Sequence, residues 1–136
     1  MSETREGGCL CGAVRYVVPD KPVMTAICHC RNCQKQSGSA LSVVAVYPRE
    51  TVKVSGELTI FEDHAESGNS VFRQFCGKCG SPVLSDTLKA AEAGIIFLKA
   101  GTLDSPDDLE PTAHYWTQSK LPWMPIPDGC AIYPRE

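Results

Sequence analysis

Apolar and polar residues alternate along this chain in short runs, and a helical period is almost absent. GAVRYVV (12–18) is rich in β-branched residues and alternates imperfectly; VMTAI (23–27), LSVVAVY (41–47) and TVKVS (51–55) follow as strand candidates. LTIF (58–61), SVFRQF (70–75), GIIFLKAG (94–101) and AHYWT (113–117) extend the series. Turn signals separate them: Pro19-Asp20, Ser55-Gly56, Ser67-Gly68-Asn69 and Pro106-Asp107. Short strands at this spacing predict a mainly β fold. Helix is expected only in pieces: a turn or two over 32–36 ended by Gly38, a short stretch at 88–93 (LKAAEA), and a single turn at 104–109 capped by Asp104 or Ser105. The Pro-rich LPWMPIPDG (121–129) excludes a central strand or a helix. No repeat, linker or low-complexity tract divides the 136 residues, so one domain over residues 1–136 is expected.

Composition narrows the class. A chain of this length buries roughly two-thirds of the surface its unfolded form exposes, so a hydrophobic core can form without relying on metal alone. The 13 Lys and Arg against 16 Asp and Glu leave a net charge of −3, which argues against a general nucleic-acid or anionic-membrane binder. No apolar run approaches about 18 residues, and the start, MSETREGG, has no signal-peptide core. A cytoplasmic location is therefore expected. In a reducing compartment, the 8 cysteines read as metal ligands in preference to disulfides.

Seven of those cysteines fall into three groups: Cys9-x-Cys11, Cys28-x-Cys30-x-x-Cys33 and Cys76-x-x-Cys79. The last reads CGKCG, where glycines at 77 and 80 free the turn so that backbone N–H groups can face the sulfurs. Such a knuckle gives two ligands, and Cys9 with Cys11 can supply the other two of a closed tetrahedral site. The expected structural zinc ligands are thus Cys9, Cys11, Cys76 and Cys79. Cys28, Cys30 and Cys33 remain as three thiols without a neighbouring fourth, the pattern of a reactive zinc site with an open position. Cys130 in PDGCAIY, His29 between two of the thiols, or an acidic side chain are the alternatives that would close it. An extended chain at His29 would turn its ring away, and His64 and His114 stand isolated in sequence.

In this order, GGCLCGAVRY, CHCRNCQKQSGS, FRQFCGKCGSPV and HYWTQSKLPWM resemble the glutathione-dependent formaldehyde-activating enzymes, a family that includes the zinc domain of the centromere protein V group. The resemblance runs from about Gly8 to the C-terminal loop. It implies an Mss4-like fold of short antiparallel strands clamped by a four-cysteine zinc site. It also implies two zinc ions, a structural one at Cys9, Cys11, Cys76 and Cys79 and a catalytic one at Cys28, Cys30 and Cys33. Cys130 matches no family ligand.

The chemistry expected of such a site follows from charge. A free thiol is only a few per cent ionised at pH 7, whereas a metal-bound thiol is deprotonated. Alternatively, the ion polarises an aldehyde oxygen. Either route makes or breaks a carbon–sulfur bond, so the expected activity is that of a zinc-dependent carbon–sulfur lyase. Its partners would be a small thiol, possibly glutathione, and an aldehyde, without nucleic acid or membrane. Three thiolates on a dication leave one negative charge, which makes Arg31, Lys35, Arg73 and Lys120 candidate cations. Ser37 and Ser39 are expected to cap a turn or meet substrate, and Tyr115, Trp116 and Trp123 to cover the core or wall a pocket. Two other readings compete: a non-catalytic zinc module that binds a partner, and a thiol redox or metal sensor.

Overall fold

In the computed structural model, which describes residues 3–135, the chain forms two β-sheets and is mainly β. The smaller sheet orders β1 (Thr4–Gly8), β2 (Arg15–Pro19) and β5 (Lys53–Ser55) as β1-β2-β5. The larger one comprises β3 (Met24–Cys28), β4 (Ser42–Pro48), β6 (Leu58–His64), β7 (Ser70–Cys76), β8 (Pro82–Asp86), β9 (Ile95–Lys99), β10 (Pro111–Tyr115) and β11 (Ala131–Tyr133). Its order is β11-β10-β3-β4-β9-β8-β7-β6, with β10 parallel to β3 and β11 and the other pairings antiparallel.

Register assigns the two faces of the larger sheet, because residues opposite each other on neighbouring strands point the same way. Ala45, Tyr47, Leu84, Ile96 and Leu98 turn to one side and pack with Val14, just before β2, and with Tyr16 and Val18 of the smaller sheet. Tyr47, Val83 and Leu98 are completely buried there, each fully buried aliphatic contributing about 1.5–3 kcal/mol. The other side carries Ala26, Cys28, Ser42, Val44, Phe97, Lys99, Ser85 and Arg73 in continuous register. One face therefore makes the core and the other is left to make a site.

Two short helices follow the expected signals. Helix α1 (Arg31–Ser37) is capped by Cys30 and ended by Gly38 at φ 67°, and α2 (Leu88–Glu92) is capped by Thr87. Elsewhere the sequence pattern misleads. The segment 104–109 makes no helical turn. The Leu109 N–H donates to the Pro106 carbonyl at 3.1 Å, while Asp104 caps nothing and instead pairs with Arg15. The strand expected over 12–18 begins only at Arg15, because residues 9–14 wrap the first thiol pair. AHYWT stops at Tyr115, since Trp116 takes the left-handed region at φ 57°. Strands β1, β8 and β11 lie outside the segments the pattern predicts. In β1 the sequence TREGG offers no apolar signal, and Gly7 is needed because a Cβ there would lie 2.3 Å from the Tyr16 hydroxyl.

Candidate metal centres and the groove

Cys9 and Cys11 lie in the turn between β1 and β2, Cys76 ends β7, and Cys79 lies in the tight turn to β8. All four sulfurs fall within 4.8 Å of one another. Cys11 Sγ is 3.7 Å from Cys9 Sγ and 3.8 Å from Cys76 Sγ. Four thiolates about 2.3 Å from one tetrahedral ion have edges of about 3.8 Å, so the cluster has the dimensions a zinc ion needs. The backbone supports negative sulfur: Val14 N–H points at Cys9 Sγ at 3.2 Å, and Lys78 N–H at Cys76 Sγ at 3.4 Å. Gly80, at φ 81°, closes the knuckle by donating its N–H to the Cys76 carbonyl at 2.7 Å. Ser81 had no place in the sequence reading, yet it links the two thiol pairs. Its hydroxyl accepts from Leu10 N–H at 3.0 Å and lies 3.3 Å from Cys79 Sγ, whose pKa it draws down to about 5.

The second cluster comes from consecutive residues. Cys28 ends β3, Cys30 is the N-cap of α1, and Cys33 lies in the first turn, where its N–H donates to Cys30 Sγ at 3.2 Å. Cys28 and Cys33 sulfurs are 3.4 Å apart, and all three lie within 4.8 Å of one another. Among the described residues no fourth Cys, and no His, Asp or Glu, joins this group at that distance. Cys130 lies elsewhere, its thiol 3.7 Å from the Pro111 carbonyl at the far end of β10, whereas Tyr115 is the β10 residue beside Cys28. The His29 ring is buried on the other side, its Nε2 2.8 Å from Nδ1 of His114. His114, isolated in sequence, is therefore partnered in space. Burial pushes both imidazoles toward the neutral form. Gln34, also buried, donates to the carbonyls of His29 at 2.8 Å and Ser119 at 3.1 Å and so pins α1.

Charge surrounds this cluster. Both terminal nitrogens of Arg73 stand 3.8 Å from Cys33 Sγ, and its Nε donates to Asp63 at 2.9 Å. Burial opposes the Arg73 charge, but Cys33 and Asp63 outweigh it and raise its pKa. Hydrogen bonds from Cys28 and Cys30, helped by Arg73, hold Cys33 well below the usual thiol range; the same sharing and burial push Cys28 up. Lys99, absent from the expected cations, is buried on the same face with its Nζ donating to Ser42 Oγ.

The model of the glutathione-dependent formaldehyde-activating enzymes matches residues 4–119 of this chain. The chain belongs to that family. A Halomonas elongata relative whose name assigns it to these enzymes is 28% identical over 149 residues, covering 96% of this chain and 89% of that protein. A Colletotrichum graminicola relative with the same assignment is 43% identical over 56 residues, 39% of this chain and 27% of that protein. A solved Rhodobacter sphaeroides protein shares the fold, with a TM-score of 0.56 at 18% identity over 74% of this chain and 88% of that one.

In this formaldehyde-activating family member the three-thiol cluster lies on the wall of a groove of about 1330 Å³. Ala26, Val44 and Phe97 form an apolar floor, with Tyr115 and Trp116 to one side. Tyr115 stacks on Tyr133 at 4.8 Å, and the Arg135 guanidinium lies 5.7 Å from the Trp116 ring centroid. Thus the segment after residue 119, beyond the family match, also shapes the groove. Arg31 and Arg135 line it, although Arg31 also donates to Gln34. Lys120 donates instead to the carbonyls of Leu121 at 3.0 Å and Met124 at 2.9 Å. Ser37 caps the turn by donating to Leu41 O at 2.9 Å. Lys35, Ser39 and Trp123 do not line the groove, and His64 ends β6 at the rim.

Proposed function

We propose that this chain is a zinc-dependent carbon–sulfur lyase acting on thiol–aldehyde adducts of the S-hydroxymethylglutathione kind. In this reading residues 1–136 form one catalytic domain. Cys9, Cys11, Cys76 and Cys79 would hold a structural zinc, and Cys28, Cys30 and Cys33 a second, catalytic one beside the groove. The observation that carries the reading is the pairing of three converging thiols with an apolar groove edged by cations. When bound, that ion would supply Lewis acidity and keep a sulfur ionised at neutral pH.

The reaction balances simply. In the forming direction the thiol sulfur bonds to the aldehyde carbon and the thiol proton passes to the carbonyl oxygen; in the lyase direction that bond breaks and the proton returns to sulfur. The chain's own groups orient and exclude. Phe97, Val44 and Tyr115 keep the reacting carbon out of water, and Arg73 holds the charge on Cys33. Arg31 and Arg135 favour an anionic thiol such as glutathione over a neutral one. No helix among the described residues is long and apolar enough to cross a membrane, and a cytoplasmic location, where glutathione is abundant, fits the reading.

The test is direct: purified protein is mixed with formaldehyde and a panel of thiols, and S-hydroxymethyl adduct is followed by NMR against a Cys30→Ser variant. Adduct exchange that is faster with the native protein supports the proposal. Equal rates for both would reject it.

A further inference from the structure

Lys99 is a buried ammonium that the reaction above does not use. It lies on β9 opposite Val44 and is 6% exposed. Its Nζ donates to Ser42 Oγ, and Ser42 sits opposite Cys28 across the β3–β4 pair. No carboxylate among the described residues forms a salt bridge with it. An ammonium held away from water with a single hydroxyl partner is costly unless a negative group compensates.

The groups on this face that can carry the compensating charge are the sulfurs, since Ser42, the hydroxyl Lys99 donates to, stands opposite Cys28. Burial lowers the Lys99 pKa and Arg73 adds to that, while negative sulfur, at Cys33 above all, favours its charge. Arg73 already has a carboxylate, Asp63, on its Nε. Three thiolates around a divalent ion carry one excess negative charge; Arg73 reaches Cys33 but is already balanced by Asp63, and Lys99 is the second buried cation on this face, with no carboxylate of its own among the described residues.

We infer that Lys99 is the buried counter-charge of the loaded three-thiol centre, a positioning residue that sets how tightly that centre holds a thiophilic dication. The inference rests on the metal role proposed for Cys28, Cys30 and Cys33. It predicts that charge at position 99 matters for one centre and not for the other, because the four-thiol cluster is served by backbone N–H groups and Ser81.

The full chain, loaded with zinc, is titrated with a chromophoric chelator, and a parallel series with Co²⁺ reads the sulfur-to-metal charge-transfer band of each centre. Cys30→Ser marks the signal of the four-thiol centre alone. Lys99→Met is expected to weaken the three-thiol centre by about 10–100-fold and to shift its band, leaving the four-thiol affinity within about twofold. Lys99→Gln keeps a hydrogen-bonding partner for Ser42 without the charge and is expected to show the same loss, so misfolding of one variant leaves the other as the test. Lys99→Arg restores most of the affinity. Native-like affinity of the three-thiol centre in a folded neutral variant overturns the inference. Native protein that binds a single ion per chain overturns the metal reading of Cys28, Cys30 and Cys33 itself, which is a different failure.

Discussion

The two thiol clusters are made of the same atoms and differ in what holds them. Cys9 and Cys11 meet Cys76 and Cys79 across more than sixty residues of chain, at the join of the two sheets, with Cys9 and Cys76 buried in the core. Their surroundings are neutral hydrogen-bond donors. Cys28, Cys30 and Cys33 come from six consecutive residues, need only the end of β3 and the cap of α1, and face a groove among charged side chains. The difference teaches a division of labour. A cluster that ties distant segments together bears on the folded state, whereas a cluster that is locally assembled can leave a position to something else.

The largest effect should come from breaking the long-range cluster. Structural zinc contributes an apparent ~10–16 kcal/mol to small peptides, against about 5–15 kcal/mol for the stability of a whole domain. Cys76→Ser should therefore lose cooperative unfolding in denaturant melts followed by circular dichroism. A variant with a native midpoint would erase the contrast between the clusters. Next, Cys33→Ser should lower adduct turnover by about 100-fold or more while its unfolding midpoint stays near native. A collapse of the fold in that variant would show the local cluster to be structural as well.

A smaller effect belongs to the imidazole pair behind the three thiols. The folded pKa of His114 is lowered by burial, below the ordinary value of about 6.5. Its stability contribution is thus complete above that value and is lost as pH falls through the folded pKa. His114→Phe should cost about 1–3 kcal/mol near neutrality, by leaving the buried His29 Nε2 unpaired. It should also show a shallower loss of stability between pH 6.5 and 5 than the native chain. Parallel urea curves for the two would show that His114 does not titrate on unfolding. The smallest effect is expected far from both clusters, at the exposed Arg15–Asp104 pair. Asp104→Asn should move the melting midpoint by about 3 °C or less. Arg15 holds the Asp104 carboxyl below its ordinary value, so that difference should vanish as pH falls through the lowered pKa. A large shift at neutral pH would mean that the β1–β2 turn leans on this pair more than its exposure suggests.

Much of this was legible in the order of residues. Cysteine spacing separated a knuckle from a three-thiol run, and runs of β-rich residues marked LSVVAVY and SVFRQF as β4 and β7. Gly38 and the thiols before it marked α1. These features are local: a turn, a cap or a period of two is written within a few residues. TREGG could not be read as β1, because its strand character comes from pairing with β2 and from the Tyr16 ring lying over Gly7. PVLSD, opened by a proline and holding only two adjacent apolar residues, carries no strand period of its own; pairing with β7 and β9 makes it β8.

What tertiary structure alone decided is which groups meet. Lys99 lies sixty-six residues beyond Cys33, and only the register of β3, β4 and β9 places it on the face of Cys28 and Ser42. His29 finds His114 through the parallel pairing of β3 with β10, and the pairing of β11 with β10 leaves Cys130 beside Pro111, at the wrong end of the strand. Arg135 reaches Trp116 because β11 runs beside β10. Sequence set the chemistry of each ligand, since a thiol is a thiol wherever it folds. Sheet register set the electrostatics around it, because charges act through space and their positions there depend on pairings that no single segment contains.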